Sequence, residues 1–227
     1  MQAFLGKQYV KDFYIKRVHD HFLNDEIVQG YYWENGRGCG VGCTIHGDDH
    51  FKYETELGIP VWLAKLEDKI FEGLESNEAK KWPETFLSAI NVGSDLEQIK
   101  LPFLIFIVES AREKFDHKKY PEHLKKIDTT LNNLKMNKPA DAAYVDDAAY
   151  AADDAAAYAA HAAYAADYAA DYAADYAAYY DADYAAYAAD YAAAAAAAAG
   201  FLRKSKNYRN EMKKFANKLL ELLRDAK

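Results

Sequence analysis

Positions 36–50 read GRGCGVGCTIHGDDH and hold both cysteines, Cys39 and Cys43, two of the seven histidines, His46 and His50, and five of the eleven glycines. Two thiols and two imidazoles in so short a span suit two chemistries. One is a metal centre, with thiolates from Cys39 and Cys43 and imidazoles from His46 and His50 around zinc, an ion that such mixed sulfur and nitrogen sets hold. The spacing departs from a zinc finger, in which one close pair of ligands is well separated from the next.

The other chemistry makes one cysteine a nucleophile. Cys43 follows GVG and precedes a helix expected from Thr44, where free N–H groups would favour its thiolate and could face a developing oxyanion. His50 is the preferred base and His46 the second choice. Asp49, with Asp48 and Glu54 as alternatives, would orient the base. If the chain is helical from Thr44, then His46, His50 and Glu54 share one face. A third reading is packing, because free cysteines are among the most buried residues and glycines occur where backbones cross closely. Trp33, next to Tyr31 and Tyr32, can wall a small-molecule pocket, and Arg37 can clamp a carboxylate or phosphate. With Glu54 these are the candidate ligand contacts. The dinucleotide fingerprint GxGxxG fails, since Val41 or Cys43 stands where its third glycine is required.

Helices must position these groups. Val10, Phe13, Tyr14, Val18 and Phe22 mark one helical face, with Arg17 as its polar exception. The segment IVQGYYWENGRGCGVGC loses that period and reads as a loop. Pro60 opens VWLAKLEDKIFEGL, which ends near Gly73, and Pro83 and Pro121 open further helices. Ser94 and Glu97 match a capping box for a helix running into LPFLIFIVESAREKF, with Pro102 as a kink or a break. The apolar run 101–108 finds no convincing partner strand, so an all-α fold is expected.

Three regions follow, divided at 1–139, 140–200 and 201–227. Residues 1–139 carry 19 basic and 22 acidic side chains, residues 140–200 carry 11 aspartates and no Lys or Arg, and residues 201–227 carry 9 basic and 3 acidic side chains. The middle tract would repel phosphates, which argues against nucleic acid as a partner. Its AAY and AADY units favour a helix, as one rod or folded back. Tyr164, Tyr168, Tyr172, Tyr176, Tyr180 and Tyr184 would form its packing surface, within the molecule or between copies. The last region reads as a basic amphipathic helix that docks on a core. No apolar run approaches the ~20 residues of a membrane span, and the start lacks a signal-peptide core, so a cytoplasmic protein with reduced thiols is expected.

YYWENGRGCGVGCTIH, then YETELGIPVWLAKLEDKIFEGL, then a Tyr/Ala tract ending in KLLELL together resemble a family of uncharacterised bacterial and phage proteins. The resemblance spans most of residues 31–90 and the plan of the C-terminal third. It implies that the Gly/Cys segment and the Ala/Tyr tract belong to one protein plan, and it carries no activity with it.

Overall fold

The computed structural model describes residues 1–113, 121–136 and 206–227. Among them the fold is all-α, with a single two-stranded sheet. The helices are α1 (Gln8–Leu23), α2 (Gly40–Ile45), α3 (Val61–Gly73), α4 (Ser76–Ala79), α5 (Trp82–Ala89), α6 (Lys100–Arg112), α7 (Pro121–Lys135) and α8 (Lys206–Asp225). Two compact units emerge, Met1–Lys100 with Ala216–Lys227, and Leu101–Phe215. The tyrosine surface Tyr164 to Tyr184 lies outside the described residues.

In the first unit α1 buries Val10, Tyr14 and Val18 at steps of four, one stripe of a 3.6-residue helix. Phe13, expected on that face, is exposed and carries the Arg17 guanidinium 4.6 Å from its ring centroid. Helix α3 begins after Pro60, whose fixed φ suits a helix start, and buries Trp62, Leu63, Leu66, Ile70 and Phe71. Pro83 is tolerated for the same reason as the second residue of α5, which buries Trp82, Phe86 and Leu87. Helices α1 and α3 both pack on α2 and α5. The end of α8 docks as expected: Leu219 and Leu223 are buried, and Asn91 Nδ2 donates to the carbonyls of Arg224 and Ala226 at 2.9 and 3.1 Å.

The capping box is corrected by one residue. Asp95 accepts from the Glu97 N–H at 3.2 Å and caps the 3-10 turn Leu96–Ile99 that leads into α6, while Ser94 Oγ donates to Asn91 O. The expected loop before α2 also holds a hairpin, Trp33–Glu34 paired antiparallel with Arg37–Gly38. Its turn is Asn35-Gly36 with φ of 49° and 82°, the left-handed pair that a tight primed turn demands.

In the second unit α6 and α7 join through Val108, Ile127 and Leu131, with Ile105, Leu124 and Leu134 around them. Arg112 holds Asp128 through Nε at 2.5 Å and Nη2 at 3.3 Å. Among the described residues no helix is long and apolar enough to cross a membrane.

Candidate functional site

Helix α2 starts at Gly40, so Cys39, not Cys43, occupies its N-cap. The Cys39 backbone is extended, and its sulfur accepts from the Gly42 N–H at 3.4 Å. The glycines are there for close approach. A Cβ on Gly38 or Gly42 would lie 1.9 or 1.6 Å from the Tyr32 carbonyl oxygen, and one on Gly40 would lie 2.5 Å from Glu67 Oε1. Cys43 sits inside the helix, fully buried, and its thiol donates to the Gly38 carbonyl at 3.4 Å. Burial pushes the Cys43 thiol up to about 12, against the Gly38 hydrogen bond. An ionised Cys43 just ahead of a helix is therefore not what forms, because the helix begins earlier and encloses it. Burial raises the Cys39 thiol too, and Asp68 adds to the shift.

The histidines separate because α2 stops at Ile45. His46 takes the left-handed conformation, φ 52° and ψ 53°, so residues 46–54 do not continue the helix and His46, His50 and Glu54 share no face. The His46 ring stacks on Trp33 at 4.6 Å and 12°, and its Nε2 meets His21 Nε2 at 2.9 Å. His21 Nδ1 is 2.6 Å from Glu26 Oε2. The two imidazole centroids are 5.1 Å apart, near the greatest separation that this nitrogen contact allows, so the rings meet head-on. A zinc ion about 2.1 Å from each nitrogen would sit off that line, where neither lone pair points. The geometry is that of an N–H···N bond between imidazoles.

His50 lies edge-on to Tyr32 at 5.4 Å. The set Cys39, Cys43, His46 and His50 is thus not assembled around one ion, and no three His, Cys, Asp or Glu side chains form a metal-holding group among the described residues. Asp49 accepts from the Phe51 N–H at 3.0 Å, a local turn contact, instead of orienting a histidine. Glu54 accepts from the Val61 N–H at 3.2 Å, at the start of α3. The exposed Arg37 reaches the Asp25 carbonyl at 3.4 Å.

What the structure brings to Cys39 is α3. The Asp68 carboxyl, 7% exposed, lies close enough to the Cys39 thiol and the Tyr32 hydroxyl to raise both, and its buried Oδ1 has no hydrogen-bond partner among the described residues. Burial raises Asp68, while the neighbouring Cys39 and Tyr32 and the charges of His50 and Lys69 oppose it. Burial, then Asp68, pushes the Tyr32 phenol up to about 12. Beside Asp68, the fully buried Glu67 accepts from the Tyr53 hydroxyl at 3.5 Å, and its Oε1 has no partner among the described residues. Burial and the neighbouring Asp68 hold Glu67 well above the usual carboxylate range. Burial likewise raises Glu72, which accepts from the Gly30 N–H at 3.0 Å. A sequence signal existed for Glu67, which stands four after Leu63 and three before Ile70, on the apolar stripe of α3. His21 and Glu26 carried no such mark.

A 530 Å³ cleft lined by Phe22, Lys81, Glu84, Thr85, Asn91 and Arg224 includes none of the thiols or shifted carboxyls. Neither a family model, a curated protein nor a solved structure matches this chain.

Proposed function

We propose that Cys39, Asp68, Tyr32 and His50 form a thiol-centred acid–base site that captures an electrophilic carbon of a small molecule. The observation that carries this reading is the buried Asp68 carboxyl, close enough to the Cys39 thiol and the Tyr32 hydroxyl to raise both and with Oδ1 unpartnered among the described residues. Burying adjacent carboxyls costs free energy, and shifted titratable groups gathered in one place are the common mark of a site that moves protons.

The proton rests on sulfur, since burial disfavours the thiolate. Bond formation and proton transfer therefore proceed together: Sγ bonds to a carbonyl carbon, the S–H proton passes to Asp68, and the carbonyl π pair moves onto its oxygen. The raised Asp68 is a better proton acceptor than an ordinary carboxylate, which narrows the gap to the thiol. The Tyr32 hydroxyl can donate to the oxygen that gains charge. His50 holds the Asp68 charge in place.

Iodoacetamide labelling of the folded chain, read by peptide mass spectrometry, tests this. Cys39 should label before Cys43, and D68N should slow Cys39 labelling about tenfold, the loss of a general base. A carboxyl that merely packs would, once replaced, loosen the site and leave the rate unchanged or faster, and that result refutes the proposal.

A second reading draws on composition. Twelve tyrosines and eleven aspartates in residues 140–200 support a self-association or interaction module independent of the thiols. Light scattering on the full chain and on a chain lacking those residues tests it, and a monomer in both cases defeats self-association.

A further inference from the structure

We propose that the exposed imidazole of His46, flanked by Arg17 and Lys52 and backed by the His21–Glu26 pair, binds the oxyanion of a small phosphate- or carboxylate-bearing ligand. This site shares no residue with the thiol cluster and stands independently of it.

The imidazole is held from three directions. Its backbone is left-handed, a conformation that strains a residue with a Cβ. Trp33 stacks on one ring face, and His21 meets Nε2 head-on. Trp33 also packs edge-on against His21 at 5.4 Å, so one indole fixes both rings. His46 Nδ1 has no hydrogen-bond partner among the described residues, and the side chain is exposed. An ordinary surface histidine is not constrained in this way.

The charges around it are mainly positive. Arg17, from α1, is anchored by the Thr44 carbonyl at 2.8 Å and by the rings of Phe13 and Tyr14 rather than by a carboxylate. Lys52 brings its Nζ to 3.8 Å from the place of a Cβ on Gly47, the residue after His46. Glu26 is the carboxylate of the group, and it lies behind His21. Burial lowers the proton affinity of His46, and Arg17, His21 and Lys52 lower it further against the pull of Glu26. A chain of net charge −8 thus keeps a local positive spot around one constrained imidazole. An anion is the ligand that relieves it.

The proton accounting follows from the head-on contact. With His21 neutral, its Nδ1–H donates to Glu26, because a carboxylate only accepts, and its Nε2 keeps a lone pair. His46 Nε2–H then donates to that lone pair, and His46 Nδ1 is left bare. An arriving oxyanion needs a donor there, so one proton from solvent goes onto His46 Nδ1 as the anion binds. The resulting imidazolium donates forward to the ligand and backward to His21, whose link to Glu26 stays intact.

Calorimetry on the full chain near neutral pH and constant ionic strength tests this, with sulfate, which does not titrate there, as the tetrahedral probe and acetate as the carboxylate probe. The expected result is saturable binding of one anion with proton uptake, the uptake read from two buffers of different ionisation heat. Tighter sulfate assigns the site to phosphate-like groups, tighter acetate to carboxylates. K52Q should weaken binding several-fold. H46G should weaken it at least tenfold and remain folded, because glycine accepts the left-handed backbone, and H46N, also tolerated there, should behave alike. Absence of saturable binding by both anions, binding without proton uptake, or undiminished binding by H46G and H46N would each overturn the proposal.

Discussion

Replacing Glu67 with glutamine should make the protein more stable at neutral pH, and the gain should vanish in mild acid. Glu67 is fully buried, its Oε1 lacks a partner among the described residues, and burial followed by Asp68 holds its proton well above the ordinary range. In the unfolded chain the same side chain loses its proton near about pH 4.3. The folded state therefore binds the extra proton above that value, and its stabilising contribution, complete below the unfolded pKa, is lost as pH rises toward the folded one. Each retained proton corresponds to about 1.4 kcal/mol per pH unit, so from pH 5 to 7 the contribution of Glu67 falls by up to about 2.7 kcal/mol. Glutamine keeps the shape of the protonated acid and an oxygen for the Tyr53 hydroxyl, but does not titrate. Urea unfolding followed by far-UV circular dichroism at pH 5, 6 and 7 should show the two chains nearly matched at the lowest pH and E67Q ahead at the highest. Asp68 and Glu72 are also raised, so some pH dependence persists in E67Q, and the difference between the chains isolates Glu67. A constant gap across that range, or a gap that closes as pH rises, would refute a buried, proton-retaining Glu67.

Gly42→Ala places a methyl group 1.6 Å from the Tyr32 carbonyl oxygen and should lower the unfolding free energy by about 3 kcal/mol or more, measured by urea denaturation. At Gly36 there is open space, and φ of 82° alone opposes a side chain, so Gly36→Ala should cost about 1–2 kcal/mol in the same experiment. Lys80→Ala removes an ion pair with the exposed Asp25, where solvent screens the charges. It should change stability by less than about 1 kcal/mol, and a larger loss would give Lys80 a structural role beyond that pair.

Local rules carried the helices. Pro60, Pro83 and Pro121 stand at or beside helix starts because a fixed φ and a missing N–H act within one turn, and the stripe of Val10, Tyr14 and Val18 repeats with the helix itself. Asn35-Gly36 was equally legible as a hairpin turn, since that dipeptide accepts positive φ, yet the surrounding glycines masked it. Sequence spacing drew attention to residues 36–50 and assigned their contacts to neighbours in the chain. Tertiary structure chose other neighbours: a left-handed turn at His46 cut the expected helix and sent that ring to His21, twenty-five residues earlier. Cys39 lies beside α3, where Asp68 would have read as an ordinary surface charge beside Glu67. Helix and turn preferences follow from backbone sterics and contacts a few residues apart, which a sequence displays. Which proton faces which lone pair depends on how the helices pack, and only the folded chain brings Cys39 to Asp68 and His46 to His21.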